Sequence, residues 1–320
     1  MRLSIVIVSY NTRQLLADCL QSLYDDPDHD QWQIIVVDNA SSDDSVTMVA
    51  RQFPQATLVT LDSNIGFARA NNRGARIATG RHLLFLNADT VAPAGVITAL
   101  CDFLDQRADA AIVGPRLVYP DGRLQYSART FPGPLNTFLE YSFVDRLLPN
   151  VRLFGRPRLT YMDHKQVQPV DYVAGACLMI CREYFDNVGG WCEGYFFYAE
   201  DADLCAKVKR VGGKTYYYGR SRIIHIGGAS ADQVALPATL EAHRSVFLFV
   251  RRNGGLLAFW ATRLITVVAL LIRSFFGALA WPVAALLGKG EWLTAQLHKY
   301  GRVLALCLSR NILPSGRFLE

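Results

Sequence analysis

Hydrophobic positions in the first 115 residues alternate between short runs and longer stretches with helical spacing. The short runs are bounded by polar residues, which predicts strands, and the spaced stretches predict helices. The predicted elements are strands at 3–8, 33–37, 56–61 and 82–86, and helices at 12–23, from Ser41 to about 53, and at 68–78. This alternation is typical of an α/β fold, Rossmann-like, with a mainly parallel sheet and helices on both faces.

Polar side chains follow several of these apolar runs. Ser9, Asp38 and Asp89 each stand where a strand is expected to end. Because the carboxyl ends of parallel strands share one edge of a sheet, these side chains can converge where α/β folds bind ligands. Asp89, with the amide of Asn87, fits a hard divalent cation. Any one of these residues could instead be a turn or capping residue, but three at corresponding ends favour a nucleotide crevice.

The pattern becomes irregular from 118 to 168, where prolines lie among aromatic residues and arginines. Apolar spacing then predicts a strand at 170–180, a helix at 204–211 and strand-like segments at 216–218 and 223–224. Long irregular segments inside compact domains are commonly functional loops.

Three carboxylates, Glu200, Asp201 and Asp203, stand at a predicted helix start after an aromatic run. Acids favour helix N-termini for electrostatic reasons alone. Burial beside the aromatic residues would instead raise a carboxyl pKa towards that of a general base. His225 lies between apolar residues and is a core histidine unless Asp89 binds a metal.

Charge and apolar composition single out the C-terminal part. Residues 1–250 hold 24 Lys and Arg against 26 Asp and Glu, while residues 251–320 hold nine against two. Basic and apolar together favour an anionic membrane surface over nucleic acid. Seven cysteines without CxxC pairs predict a reducing cytosolic setting, without disulfides or zinc. The first ten residues read as a strand, so we expect no signal peptide.

The most apolar stretch, 255–288, is interrupted by Arg263 and Arg273. Each uncharged part is shorter than the ~20 residues that span a bilayer. We therefore expect helices in the membrane interface, with Arg, Lys and Trp at the headgroups. A single tilted span and a helical subdomain packed on the core are the alternatives.

Several stretches together resemble the family-2 glycosyltransferases of GT-A fold, in their bacterial rhamnosyltransferase-like branch. The matching stretches are SIVIVSYNT (4–12), IIVVDNASSDDS (34–45), NIGFARANNRG (64–74), HLLFLNADT (82–90), VAGACLMI (173–180), FFYAEDADLC (196–205) and IIHIGGAS (223–230).

The resemblance implies a metal-dependent, inverting transfer of a sugar, such as rhamnose, from a dTDP- or UDP-sugar to a glycan or a polyprenyl-diphosphate-linked acceptor in cell-surface polysaccharide synthesis. The implied nucleotide-sugar residues are Ser9, Tyr10, Asp38, Asn64, Gly66, Asn71 and Asn87. Asp89, at the last position of the family's DxD motif, and His225 would hold Mg²⁺ or Mn²⁺. Asp201 would be the catalytic base and Glu200 would help to place the acceptor. The chain departs from the motif at Asn87, which leaves Asp89 as its one charge.

These expectations divide the chain into a GT-A domain at 1–250, with a donor half at about 1–115 and an acceptor half at about 116–250, and a helical, membrane-associated tail at 251–320. The membrane contact is expected through 251–290, on the cytoplasmic face of the bacterial inner membrane, in a peripheral or monotopic manner. No nucleic-acid partner is expected. A nucleotidyltransferase and a non-catalytic sugar-nucleotide-binding scaffold are the competing functions.

Overall fold

The computed structural model describes residues 1–227, 235–309, 312 and 313. Its first half contains the seven predicted elements, each within a few residues of its expected bounds. The strands are β1 (Leu3–Ser9), β2 (Trp32–Asp38), β3 (Thr57–Thr60) and β4 (His82–Asn87), and the helices are α1 (Arg13–Tyr24), α2 (Ser45–Gln52) and α3 (Phe67–Ile77). The four strands are parallel in the order β3-β2-β1-β4.

The second half adds antiparallel strands to the sheet. Its elements are β5 (Thr90–Val91), α4 (Val96–Gln106), β6 (Ala110–Val118), β7 (Leu124–Gln125), β8 (Ala128–Arg129), α5 (Pro134–Ser142), α6 (Val144–Leu147), β9 (Val167–Val170), β10 (Tyr172–Val173), β11 (Cys177–Cys181), α7 (Arg182–Asn187), α8 (Glu200–Arg210) and β12 (Lys214–His225). Strand β11 lies antiparallel between β4 and β6, while β12 runs parallel to β6. The described sheet is thus mixed, with order β3-β2-β1-β4-β11-β6-β12-β5, and the strands of the predicted donor half, β1 to β4, are all parallel.

Helices cover both faces of the sheet, as the apolar runs predict. Successive residues of a strand point to opposite faces. Ile5 and Ile7 of β1 pack in one buried cluster with Leu16 of α1, whereas Val6 packs in a second cluster with Ala68 of α3. Burial on both faces explains why these strands are continuously hydrophobic rather than alternating.

Two sequence-based expectations for the second half were wrong in detail. The apolar run 170–180 is not one strand, because a turn at 174–176 separates β10 from β11. The helix expected at 204 begins one turn earlier, at Glu200, so the acidic residues lie inside its first turn. In the first half, the helix expected from Ser41 begins at Ser45, and Ser41 and Ser42 bond to Asp38 and Asn11.

The C-terminal part is helical, as expected. Helix α9 (Ala235–Leu286) has a non-helical residue, Gly255, with φ of 79°, and α10 (Gly290–Leu308) packs back along it. The buried contacts join Phe247, Phe259, Leu270, Val303, Leu306 and Cys307. The proposed boundary at residue 250 therefore lies inside α9, five residues before the backbone break.

The outer side of this helical pair is apolar and exposed. Its most exposed side chains include Leu257, Leu264, Phe275, Leu279 and Leu286. Leu236–Leu286 is long and apolar enough, by length and composition alone, to cross a membrane.

The two arginines of this segment bind backbone carbonyls of the protein, while their expected position at headgroups stays a prediction. Arg263 donates to the carbonyls of Cys307 and Ser309 at the end of α10. Arg273 donates to the carbonyl of Tyr141 and stacks on its ring. Both guanidinium groups satisfy backbone carbonyls, so each holds helices together.

Candidate active site

Asp89 and His225 are brought together by the pairing of two strands. His225 is the last residue of β12 and pairs with Thr90 of β5, which is the residue that follows Asp89 in the sequence. The Nε2 atom of His225 is 3.3 Å from Oδ1 of Asp89. The other carboxylate oxygen accepts the backbone N–H of Gly227 at 3.0 Å. Burial opposes ionisation of Asp89, but these hydrogen bonds outweigh it and hold its pKa below the usual range.

Gln125 fixes the orientation of the His225 ring. Its Nε2 donates to the His225 carbonyl, so its Oε1 faces Nδ1 of the ring, 2.8 Å away. This contact places a proton on Nδ1 and leaves Nε2 facing Asp89. A proton on Nε2, or a cation bound between Nε2 and the carboxylate, satisfies their 3.3 Å approach. This donor set, one carboxylate and one oriented imidazole, fits a divalent cation.

Asn87 is a third polar residue beside Asp89 and His225. Its backbone N–H donates to the Ala176 carbonyl, and its side-chain Nδ2 lies 3.4 Å from Nε2 of His225. Within residues 1–227 and 235–309, no three His, Cys, Asp or Glu side chains form a metal-binding group. Asp89 and His225 would thus need oxygens from a bound diphosphate to complete a cation's coordination.

The predicted nucleoside residues lie along the neighbouring strand ends. Ser9 and Asp38 are opposite each other in the β1–β2 pairing, and both are buried. Oδ2 of Asp38 accepts the N–H of Ser41, while its Oδ1 is buried with no partner among the described residues. An orphaned carboxylate oxygen at this edge is suited to accept a base N–H or a ribose hydroxyl. Ser9 shares a hydroxyl hydrogen bond with Thr12, and Tyr10 is half-buried beside it.

Asn64 belongs to a side-chain network that shapes the loop before α3. Its Oδ1 accepts the side-chain amide of Asn39 and the backbone N–H of Gly66. Asn39 in turn accepts the N–H of Ile65. Asn71 is buried in α3 and donates to the carbonyl of Phe67. These bonds make Asn39 and Asn64 determinants of the loop's shape.

Gly66 allows the loop before α3 to approach the backbone of Phe196. A Cβ at this position would lie 2.6 Å from the Phe196 carbonyl oxygen, and its φ is 85°. The next residue, Phe67, donates its N–H to that same carbonyl at 2.8 Å. Both the space and the backbone angle therefore require glycine here.

Asp201 lies beside the turn that separates β10 from β11. Its Oδ2 accepts the N–H of Gly175 at 3.0 Å, and its Oδ1 accepts the N–H of Ala202. Since the adjacent Ala176 carbonyl binds Asn87, one short turn connects the candidate base with the strand end that bears the metal motif.

Burial perturbs the two adjacent acids. It raises the pKa of Asp201, although hydrogen bonds from Gly175 and Ala202 and the charge of Arg129 oppose the rise. It raises the pKa of Glu200 strongly, and the Asp201 charge adds to this effect. The Glu200 side chain has a buried Oε2 with no partner among the described residues. A protonated Glu200 can donate a hydrogen bond, while Asp201 can accept a proton.

Asp203 does not join this pair. It is fully buried, and its Oδ1 accepts hydrogen bonds from Tyr195, Arg252 and Asn253. The contact with Arg252 joins α8 to α9, so the expected three-acid cluster is divided into the adjacent Glu200 and Asp201 and a separate structural ion pair.

The residues that the sequence did not single out are Gln125, Asn39, Gly175 and Arg129. None stands in a strongly patterned segment, and each acts through a contact distant in sequence. Asn39 had the clearest signal, because it directly follows Asp38 at a strand end.

Comparison with known proteins identifies the family of the chain. The family model "Glycosyl transferase family 2" matches residues 4–189. N-acetylglucosaminyl-diphospho-decaprenol L-rhamnosyltransferase of Mycobacterium tuberculosis is 25% identical over 234 residues, covering 69% of this chain and 76% of the relative. Rhamnosyltransferase WbbL of Escherichia coli K12 is 26% identical over 235 residues, covering 69% and 82%.

Solved structures share the fold at lower identity. The mannosyltransferase PcManGT of Pyrobaculum calidifontis, solved with GDP-Man and Mn²⁺, superposes with a TM-score of 0.59 at 18% identity, covering 95% of this chain and 85% of that one. GalNAc-T7, solved with UDP, GalNAc and Mn²⁺, gives 0.55 at 18%, covering 79% and 50%. The GT-A fold class is thereby confirmed, and a glycosyltransferase is favoured over a nucleotidyltransferase or a non-catalytic scaffold. The chain belongs to glycosyl transferase family 2 and is a glycosyltransferase of GT-A fold.

Proposed function

We propose that this enzyme transfers a sugar from a nucleoside diphosphate donor with inversion, using a divalent cation. The observation that carries the proposal is the contact between Asp89 and His225 at the end of β4, with Asp201 connected to it by the 174–176 turn. Mg²⁺ or Mn²⁺ held by Asp89 and His225 would neutralise charge on the diphosphate leaving group. Two structural neighbours were solved with Mn²⁺, which supports this assignment.

Asp201 is the proposed base that removes the proton from the acceptor hydroxyl. Its pKa is raised above the usual carboxyl range, which strengthens it as a base near neutral pH. The Gly175 and Ala202 N–H groups hold both of its oxygens in place. A protonated Glu200 would donate to another acceptor oxygen and orient it. Attack from the face opposite the diphosphate would invert the anomeric centre.

The donor is proposed to bind along the strand ends of the first half. Ser9, Tyr10 and Asp38 would contact the nucleoside, with the orphaned Oδ1 of Asp38 as the main acceptor. Asn64, Gly66, Asn71 and Asn87 would form the wall beside the sugar and diphosphate. The names of the two rhamnosyltransferase relatives favour rhamnose as the sugar, and the proposed donor is dTDP-rhamnose, with UDP-sugars as the alternative.

The acceptor is proposed to be a glycan or a polyprenyl-diphosphate-linked sugar in cell-surface polysaccharide synthesis. The M. tuberculosis relative is named for a lipid-linked acceptor. The exposed apolar side of α9 suits a lipid surface, which supports a peripheral or monotopic position on the cytoplasmic face of the inner membrane, contacted through 251–290. In this division, 1–250 is catalytic and 251–320 docks it beside the acceptor.

The test is a donor screen on the purified full-length protein. It would be incubated with dTDP-rhamnose or UDP-hexoses, with Mn²⁺ or EDTA, and with or without a polyprenyl-diphosphate-linked N-acetylglucosamine. We expect metal-dependent release of one nucleoside diphosphate and a product of inverted anomeric configuration by NMR. Donor turnover that is unchanged by EDTA, or a retained configuration, would refute the proposal.

A further inference from the structure

The segment from Leu135 to Leu153, called here the 135–153 surface, exposes an unusual number of apolar side chains. Residues 2–130 expose three large apolar or aromatic side chains, those of Ile77, Tyr119 and Tyr126. The 135–153 surface alone includes Leu135, Phe138, Phe143, Leu147, Leu148 and Leu153, each between 41 and 75% exposed. Exposed apolar side chains grouped in this way mark an interaction site.

Helix α5 shows that this exposure follows from the helix's orientation. Leu135 and Phe138 are three residues apart on one face, and both point to solvent. Asn136 and Leu139, further round the helix, are buried, and α5 packs against α9. The helix thus buries one side and presents an apolar side outwards, where a surface helix in water would be polar.

The outward charges around these apolar side chains are cationic. Arg146, Arg152 and Arg156 are exposed. The acids of the same stretch point inwards: Asp145 is buried near Arg158, and Glu140 is partly buried near Arg129. Arginines interspersed with apolar side chains complement the anionic headgroups and acyl boundary of a membrane.

The 135–153 surface adjoins the apolar side of the tail. Arg273 of α9 donates to the Tyr141 carbonyl and stacks on Phe143, with its guanidinium carbon 4.3 Å from the ring centroid. Phe275 and Phe276, next along α9, are exposed. A bilayer contacting the tail therefore meets Phe143 and Leu147 at the same boundary.

The buried side of α5 is connected to the catalytic centre. The Asn136 amide donates to Thr130 and to the Phe131 carbonyl, next to Arg129. We propose that the 135–153 surface is a second membrane contact, which docks the acceptor half on anionic lipid and orients Asp201 towards it. The inference rests on the membrane location proposed above.

Vesicle binding of the full-length protein tests this surface. Cosedimentation would use phosphatidylcholine vesicles with and without phosphatidylglycerol. Arg146→Gln and Arg152→Gln should each weaken binding to the anionic vesicles about fivefold and leave neutral vesicles unaffected. The double variant Leu147→Glu/Leu153→Glu should weaken binding to anionic and to neutral vesicles by about tenfold. The matched control is Ile77→Glu with Val211→Glu, which also changes two exposed apolar residues of the catalytic domain.

Several outcomes would overturn the inference. Wild-type binding by the variants, or equal loss in the control, would show that this surface does not touch lipid. A change in oligomeric state on size exclusion without a change in vesicle binding would assign the surface to contacts between copies. Donor hydrolysis measured without vesicles tests the two proposals separately. Absence of hydrolysis by the wild-type protein would refute the proposed activity. Normal hydrolysis together with unchanged vesicle binding by the variants would refute the membrane contact alone. Thermal unfolding would confirm that the variants are folded.

Discussion

The backbone N–H of Gly175 donates a 3.0 Å hydrogen bond to Oδ2 of Asp201, across 26 residues of sequence. The next residue of the same turn, Ala176, accepts the N–H of Asn87. The position of the candidate base is thus fixed by backbone atoms relative to the strand end that carries Asn87 and the candidate metal ligand Asp89. Such positioning does not depend on flexible side chains.

Asp201→Asn should reduce transfer by about two to four orders of magnitude, because the acceptor proton loses its base. Donor and Mn²⁺ binding should be retained, since Asp201 is not among the proposed donor contacts. By contrast, Asp89→Ala should lose both binding and transfer. Calorimetric titration and product assays measure the two effects. Asp186→Asn, an exposed acid on α7, is the control, and full turnover by Asp201→Asn would exclude it as the base.

Gln125→Leu should weaken Mn²⁺ binding about 10- to 100-fold, as is typical when an outer-shell partner of a ligating histidine is removed. The leucine cannot hold Nδ1–H of His225, so the ring loses its fixed tautomer and orientation. Mn²⁺ titration by electron paramagnetic resonance, in the presence of nucleoside diphosphate, measures the affinity. Gln14→Leu, on exposed α1 surface, is the matched control. Unchanged affinity in Gln125→Leu would mean that His225 is not a ligand.

Arg129→Gln should move the acidic limb of the kcat/KM profile to higher pH. The Arg129 charge lowers the pKa of Asp201, so its removal raises that pKa, and the base is deprotonated only at higher pH. Arg129→Lys should retain most of the wild-type profile because it keeps the charge. Arg123→Gln, an exposed arginine paired with Asp121, should leave the limb in place. A shift to lower pH in Arg129→Gln would contradict the assigned interaction.

Glu200→Gln should make the protein more stable at neutral and alkaline pH. A folded pKa above the unfolded one means that the native state retains a proton that the unfolded state releases, so stability falls as pH rises between the two values. The neutral glutamine removes this loss. The gain in unfolding temperature over wild type should therefore shrink as pH falls towards about 4. A gain that is largest in acid would show that burial does not raise the Glu200 pKa.

Asp203→Asn should destabilise the fold without acting on chemistry. The carboxylate is fully buried against Arg252, whose side chain is 11% exposed, and removal of one partner from such a pair costs about 3–5 kcal/mol. Denaturant unfolding measures the loss, and activity per folded molecule should equal that of wild type. A selective loss of kcat with normal stability would show that Asp203 takes part in catalysis.

The donor half could be predicted closely because its signals are local. Apolar runs such as 3–8 and 82–86, ending on Ser9 and Asn87, are sufficient to locate strands and the edge that binds ligands. The turn at 174–176 could not be found in this way, because apolar residues are buried on both sides of it. Its position depends on the hydrogen bond to Asp201, which forms only in the folded chain.

The contacts of single polar residues were the hardest to predict. The role of His225 depends on the register between β5 and β12, and that of Gln125 on a hydrogen bond across 100 residues. Hydropathy located the apolar tail, but the carbonyls that Arg263 and Arg273 bind could not be found from sequence, because these contacts form only between packed helices.

The break at Gly255 changes the direction of the helical tail, and contacts of the later segment with Tyr141 and Phe247 hold that direction against the catalytic domain. Residues before it are held by the Asp203–Arg252 contact, whereas residues after it present their apolar side chains outwards. No atom lies within 4 Å of a Cβ built at this glycine, so its φ of 79°, rather than a lack of space, favours glycine here. Because Arg273 of the second segment binds the Tyr141 carbonyl, a change in the tilt of that segment, as bilayer thickness requires, would be transmitted to α5 and the acceptor half.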